Sequence, residues 1–533
     1  MGRVQAAKKN ILFGYVGQVV SIIMTYVLRT FFILKIGKEL LGVNSLYANV
    51  LQLLNMADMG IGTALNFSLY GPVARGEKEK IKSYMQFYKK AYNYIAVAVC
   101  VIGLLLVPFL KRLVNLPEDF VITERELVLY YLIFLFNTVS SYFVAYKYSL
   151  VNAEQKNYVQ TNVITFTKII TVCFQLIVVL ATGNFYLYLI TDAVVQLIQK
   201  IFVSKYLDNM YPYLKEKNIE KLSKDEEGEV WTKTKALVFH RVGDAFRLQT
   251  DQLIISPLLG TVMSAVVDNY NQIIVQISNF VNIIFNSVIS SFGNLIATED
   301  KSRQYSMFKV YRFFASWVYG FSATGFMLLI SPLVNIWLIK TGNATSENIG
   351  EWMLPGVAVF LILTDYYFKG ERTVLSNYKT AAGVFEQDKY LALIQGIVNL
   401  ILSIWLVQTP LGISGIYVGT VVSGLIANMT KPVIIYKACF DMSAVNYYID
   451  SFKYLVSMAV VMGICYFIRQ LVMPEPTILG FAAMVVIITV VFNGVYFLLY
   501  GRSEEFRYLC GKLKARKAYL WTTLHIMKWS ERP

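Results

Sequence analysis

Read as a helix, residues 239–260 place His240, Asp244, Arg247 and Asp251 at i, i+4, i+7 and i+11, one stripe of ionisable groups with Arg241 beside it. Leu253, Ile254 and Ile255 continue it as an apolar end, and Pro257 with Gly260 stops it. The flanking chain is apolar enough to set this helix in a membrane, where each ionisable group costs roughly 2.5–3.5 kcal/mol on insertion scales. A guanidinium there either pairs with a carboxylate or faces a wet cavity and an anionic headgroup. Arg247 can pair within its own helix, because Asp244 and Asp251 lie at i−3 and i+4. If the helix enters near Ala236, a rise of about 1.5 Å per residue puts Arg247 roughly 16 Å deep, close to the bilayer middle.

Other charges inside apolar runs include Arg29, Asp58, Lys168, Asp192, Lys200, Asp268, Asp365 and Lys369. Arg29 lies in the outer part of its run and either snorkels outward or faces inward. Asp192 and Asp268 stand near run ends and read as interfacial. Lys200 and Lys369 read as reaching for inner headgroups. Lys168 and Asp58 lie near mid-run, where neither surface is close. No nucleotide-binding loop, dinucleotide fingerprint or nucleophile elbow occurs. Two histidines, His240 and His525, are too few for a zinc motif, and five scattered cysteines suggest buried apolar groups rather than disulfides. With no nucleophile–base set, the chain reads as a non-enzyme without a cofactor.

The elements that would hold these charges are membrane helices. Of 533 residues 56% are hydrophobic and 16% charged, with mean hydropathy +0.51, outside the range of soluble domains. Apolar runs cover 11–36, 44–71, 91–110, 127–151, 158–181 and 185–206. After a Lys- and Glu-rich linker, read as solvated, they cover 236–259, 263–297, 308–339, 352–376, 390–407 and 413–436, then 452–472 and 477–500. That is an all-α polytopic membrane protein of about fourteen transmembrane helices. Lysine and arginine concentrate in alternate loops, including Arg75–Lys90, the linker, Lys301–Arg312 and Lys437, which places both termini in the cytoplasm. The net charge of +15 is thus a matter of membrane orientation and not of nucleic-acid binding.

A repeat supports two halves. An offset of 223 pairs Gly37 with Gly260, Tyr47 with Tyr270, Ala74 with Ala297, Lys78 with Lys301, Lys80 with Arg303, Tyr88 with Tyr311 and Lys89 with Arg312. Both copies start inside, so the repeats are parallel, related by an axis along the membrane normal. The expected organisation is a six-helix bundle over 1–207, a cytoplasmic linker over 208–235 and a second six-helix bundle over 236–440. Two further helices follow over 441–500, then a basic cytoplasmic tail over 501–533. Two six-helix repeats facing a central cavity is an alternating-access arrangement.

Leu40-Leu-Gly-Val-Asn-Ser-Leu-Tyr47, Asp58-Met-Gly-Ile-Gly62, Thr250-Asp-Gln-Leu-Ile-Ile-Ser256 and Ser290-Ser-Phe-Gly-Asn-Leu-Ile-Ala297 resemble segments of Wzx-like polysaccharide flippases. These belong to the multidrug/oligosaccharidyl-lipid/polysaccharide exporter superfamily. The resemblance implies a cell-membrane flippase that carries undecaprenyl-pyrophosphate-linked oligosaccharide repeat units to the outer leaflet. It implies a cationic cavity in which Arg29, Lys168, Arg241 and Arg247 attract the pyrophosphate. Asp58, Asp244, Asp251 and Asp365 would tune that charge or couple transport to H⁺ or Na⁺. Implied partners are the lipid-linked oligosaccharide, membrane lipids, a polysaccharide polymerase and glycosyltransferases. The rival readings are a lipid II flippase, a multidrug exporter and, less favoured because the outer loops are short, a membrane polymerase.

Overall fold

The computed structural model describes residues 3–154, 156–216, 219–228, 251, 253–384, 387 and 390–511. Among the described residues there is no strand, as expected where a bilayer leaves every backbone polar group to be satisfied within its own segment. The helices are α1 (Arg3–Lys35), α2 (Lys38–Arg75), α3 (Lys78–Leu106), α4 (Glu124–Ala153), α5 (Asn157–Thr182) and α6 (Phe185–Met210). After a helical end over 253–259 come α7 (Thr261–Thr298), α8 (Lys301–Lys340), α9 (Gly356–Glu371), α10 (Thr373–Ala382), α11 (Leu391–Val407) and α12 (Ile413–Ile435). The chain closes with α13 (Val445–Val472) and α14 (Ile478–Tyr500).

Ten of these helical stretches are long and apolar enough to cross a membrane among the described residues. The surface agrees: Leu471, Leu479 and Leu498 are more than four-fifths exposed, which a water-facing surface rarely tolerates together but lipid does. With 253–259 as the end of a seventh span and α9–α10 as one broken span, the order is that of a multi-pass protein of about fourteen spans.

The polar ends of the helices are longer than hydropathy suggests. α2 runs for 38 residues, and α3 begins inside the basic stretch at Lys78. The tenth span is not continuous. It bends at Arg372, whose guanidinium donates to the Gly424 carbonyl at 3.1 Å. Just before the bend, Gly370 lets the Tyr319 ring approach to where a Cβ would sit 2.2 Å away.

Contacts group the chain into two compact units. The first comprises Met1–Phe280, Trp337–Ala358 and Lys389–Ser423, and the second Val281–Ile336, Val359–Asp388 and Gly424–Pro533. In the first, α4 packs on α2, α3 and α6, while α5 joins α6 to α1. In the second, α13 pairs with α14.

Two turns carry the repeat into three dimensions. Gly37 (φ +104) and Gly260 (φ +94) both precede a long helix, α2 and α7, in a conformation that favours glycine. Ten residues on, Tyr47 and Tyr270 are both buried, with hydroxyls directed to Leu127 O and Met353 Sδ. Ser45 Oγ donates to Asp268 Oδ2 at 3.0 Å, and the two residues are 223 apart. Repeat mates touch only where the symmetry axis passes, so the axis runs between α2 and α7 about two turns from their starts. Beside it, Gly42 admits the Thr261 carbonyl, which would lie 2.2 Å from a Cβ.

The linker is more than a solvated connection: its described residues, 211–216 and 219–228, also pack on neighbouring helices, and Leu222 is 9% exposed in a cluster with Tyr84, Met85 and Leu207. Lys80 pairs with Glu226 at 2.7 Å, Lys82 with Glu216 at 2.6 Å, and Ser83 Oγ donates to the Glu220 carbonyl at 2.6 Å. A Lys- and Glu-rich segment looks soluble in sequence. Here its carboxylates answer the basic start of α3.

Candidate functional site

Three polar clusters lie inside the first unit. The first surrounds Arg29, about two turns from the Gly37 end of α1. Its Nη1 donates to Asp268 Oδ2 at 2.8 Å, its Nε to Asn269 Oδ1 at 2.7 Å and its Nη2 to the Ala265 carbonyl at 3.4 Å. Arg29 is only 8% exposed, so it does not snorkel. Next to it, Trp337 Nε1 donates to Thr30 Oγ1 at 2.8 Å and packs edge-on against Tyr26. Lys38 pairs with Glu351 at the helix ends. An arginine so held gives one N–H from each of its three nitrogens to α7.

The second cluster surrounds Asp251. Asn399 Nδ2 donates to its Oδ1 at 2.8 Å, and Thr420 Oγ1 to its Oδ2 at 2.6 Å. Behind them Ser403 Oγ donates to Asn399 Oδ1 at 3.2 Å and to the Ile416 carbonyl at 3.1 Å. α11 and α12 come this close because residue 419 is glycine: a Cβ there would meet Ser403 Oγ at 2.6 Å. The hydroxyl of Tyr417, one turn before Thr420, is buried without a hydrogen-bond partner among the described residues. Both oxygens of the Asp251 carboxylate thus accept hydrogen bonds from neutral side chains, with the Asn399 amide turning its nitrogen toward it.

The third is a chamber of 210 Å³ within α1–α6, lined by Lys168, Asp192, Asn137, Thr171 and Gln175 among others. Asn137 Nδ2 donates to Asp192 Oδ2 at 2.8 Å. Lys200 Nζ donates to the Asn137 carbonyl at 2.8 Å and to Ser140 Oγ at 2.7 Å. Lys200 is therefore buried against α4 and does not reach a headgroup. Asp192 faces the chamber and not the interface.

In the second unit Asp365 is 8% exposed and pairs with Lys369 one turn on. Lys369 therefore answers a carboxylate and not a headgroup. Of the remaining sequence candidates, Arg241, Asp244 and Arg247 lie outside the described residues, as does His240. Asp58 lies within α2, and its side chain is outside the described set. The structure thus brings Arg29 and Asp251 each into a polar cluster, puts Lys168 in a separate chamber, and pairs Asp365 within α9.

No protein-family model matches the chain, and no curated protein matches it by sequence. Solved structures match it by fold. The lipid II flippase MurJ in an inward closed conformation superposes with a TM-score of 0.65 at 13% identity, covering 92% of this chain and 98% of that one. An inward-facing multidrug resistance MATE family transporter of the MOP superfamily gives 0.60 at 13% identity, covering 79% and 98%. The MATE multidrug transporter DinF-BH gives 0.59 at 14% identity, covering 83% and 98%. The chain shares its fold with these structures. These similar structures are a flippase and transporters, not enzymes.

Within this fold, sequence reading found the charges and missed their partners. Asp268 looked interfacial because it stands eight residues after Gly260, yet it takes the Arg29 guanidinium across 239 positions. Asn399 and Thr420 are neutral and carried no signal of their own. The available clue was the repeat: the axis passes at Ser45 and Asp268, and a charge beside an axis finds its partner on the other copy.

Proposed function

We propose that this protein is a flippase that moves undecaprenyl-pyrophosphate-linked oligosaccharide repeat units from the inner to the outer leaflet of the cell membrane by alternating access. The observation that carries the reading is the extent of the likeness. A lipid flippase fold accounts for 92% of the chain, against 79% and 83% for the multidrug transporters. Intramembrane cations support it, because a pyrophosphate crossing a low-dielectric region needs counter-charge along its way. Arg241, Arg247 and Lys168 are the proposed counter-charges.

Arg29 takes a different part. Its bond to Asp268 ties α1 to α7 at the end of the helices that the lysine and arginine pattern turns outward. A pyrophosphate arriving at Arg29 competes with Asp268 for the same donors. Exchange of one anion for the other would release the outer end only when substrate is bound. Asp251, with Asn399 and Thr420, is the proposed coupling site for H⁺ or Na⁺, while Asp58, Asp244 and Asp365 tune the charge. No bond in the substrate is broken on this account, and no catalytic residue is needed. The partners are enzymes that build the repeat unit inside and a polymerase that consumes it outside.

The test is made in cells. Depletion of the protein should cause an intact lipid-linked oligosaccharide to accumulate facing the cytoplasm, and an Asp251→Asn protein should fail to relieve it. Accumulation of a lipid-linked precursor lacking sugars, or sensitivity to cationic dyes alone, would overturn the reading.

A further inference from the structure

Where α12 ends, the helix loosens into a π-turn over Tyr436–Phe440 and stops at Asp441, which adopts a left-handed conformation (φ +54). The chain then enters α13 through Ser443 and Ala444. These residues border a cavity of 340 Å³, lined by Val433, Lys437, Asp441, Ser443, Val445 and Tyr448 among others. Its size falls at the small end of ligand pockets. The Tyr448 hydroxyl donates to the Met429 carbonyl and ties the first turn of α13 to α12.

Lys437 and Asp441 are four residues apart, a spacing at which opposite charges on an unbroken helix pair readily. Here they do not: neither makes an ion pair or a side-chain hydrogen bond among the described residues. The left-handed turn at Asp441 takes its side chain off the helical path. One cavity therefore presents an unpaired ammonium and an unpaired carboxylate together. Its rim is apolar and open at Val433 and Val445, each more than half exposed, and Phe452, two turns along α13 from Val445, is exposed as well. Charges beside a lipid-facing rim mark the depth of headgroups, with acyl chains alongside. A soluble anion would need only Lys437 and would be repelled by Asp441, and it has no use for the rim.

We propose that this cavity is a binding site for a zwitterionic phospholipid of the phosphatidylethanolamine type. The phosphate is held by Lys437, the primary ammonium by Asp441, and the acyl chains lie along Val433, Val445 and Phe452. The headgroup bridges the two charges that the π-turn keeps apart. A choline headgroup lacks N–H donors for the carboxylate, and a glycerol headgroup brings no positive charge, so both fit less well. The site is independent of which substrate the protein transports.

The full-length protein in nanodiscs containing equal parts phosphatidylethanolamine, phosphatidylcholine and phosphatidylglycerol is released into the mass spectrometer, and its retained lipids are counted. Phosphatidylethanolamine should be retained over the other two by about tenfold, the factor for one charge-assisted hydrogen bond. Asp441→Asn keeps the backbone, since asparagine tolerates the left-handed region as well as aspartate does, and should abolish the preference. Lys437→Gln should lower retention of all three. Equal retention of the three lipids by the unaltered protein would overturn the proposal. So would a preference that survives Asp441→Asn.

Discussion

Lys89 and Arg312 occupy the same position of the 223-residue repeat and end in opposite surroundings. Lys89 is exposed. Arg312 is 3% exposed, with its guanidinium 3.6 Å over the Tyr447 ring. Its Nη2 donates to Ser451 Oγ and the Tyr447 carbonyl, both at 2.6 Å, and to Glu371 Oε1 at 3.2 Å, and Asp450 stands 3.6 Å from Nη1. Tyr447, Asp450 and Ser451 belong to α13. The first copy of the repeat has no such helix, so its cation stays in the open. The second is covered by the appended pair and must be neutralised there. Arg312 was counted among the basic inner-loop residues from sequence; the structure makes it the anchor of α13.

The comparison extends to the rest of that end. Lys80 and Lys82 are answered by the folded segment after α6, and their neighbours in the second copy by the segment after α12. Lys301 donates to the Cys439 carbonyl at 2.6 Å, and Tyr305 packs on Tyr436 and Phe440. Each copy thus covers the start of its own basic helix with the chain that leaves its sixth span. Only the second adds a helix pair on top.

The largest effect should come from breaking the anchor. Arg312→Met leaves the buried Glu371 without its cation, and removing one partner of a buried charge network costs about 3–5 kcal/mol. Thermal unfolding of the purified protein should show it, with protease access to the 436–445 turn. Lys89→Met should change stability by less than about 0.5 kcal/mol, as for an exposed position. Similar losses from both substitutions would mean that the two copies are not differently covered.

Much of the fold was legible because a bilayer imposes a simple rule: apolar runs of helical length become helices. The ends were not legible. Hydropathy reports only the apolar middle of a helix, so the polar starts of α2 and α3 and the folded linker escaped it. Arg29, Lys168, Asp251 and Asp365 stood out as charges in apolar runs. What they bind could not be read, because Arg29 and Asp268 are 239 positions apart and Asp251 and Thr420 are 169 apart. Nothing local states which helices meet. Only the repeat offset carried tertiary information, and it did so at Gly37, Gly260, Ser45 and Asp268.

A smaller effect should come from the cover of the first copy. The Lys80 ammonium beside Glu226 holds its carboxyl below the usual carboxylate range. A depressed carboxylate contributes stability that is present above its unfolded value and lost as pH falls through its folded one. With the intrinsic pH dependence of exchange divided out, the protection of amides over 219–228 should therefore fall on going from neutral pH to about pH 3, below the ordinary glutamate value of about 4.3. In Glu226→Gln the segment should exchange faster at neutral pH and respond less to acid. Protection independent of both pH and this substitution would show that Leu222 alone holds the segment.

The central claim is that the chain carries a lipid-linked oligosaccharide across the bilayer unaltered. Purified protein is reconstituted into liposomes with a fluorescent undecaprenyl-pyrophosphate-linked oligosaccharide, and a membrane-impermeant quencher reports the fraction in each leaflet. The unaltered protein should speed exchange between leaflets with no change in the mass of the lipid. Arg29→Ala should slow it at least about tenfold, the loss expected when one charge-assisted contact to the substrate is removed. Adding Asp268→Asn, which removes the carboxylate left unpaired, should restore folding but not flipping. Exchange no faster than in empty liposomes, a lipid of altered mass, or full flipping by the Arg29→Ala protein would contradict the account.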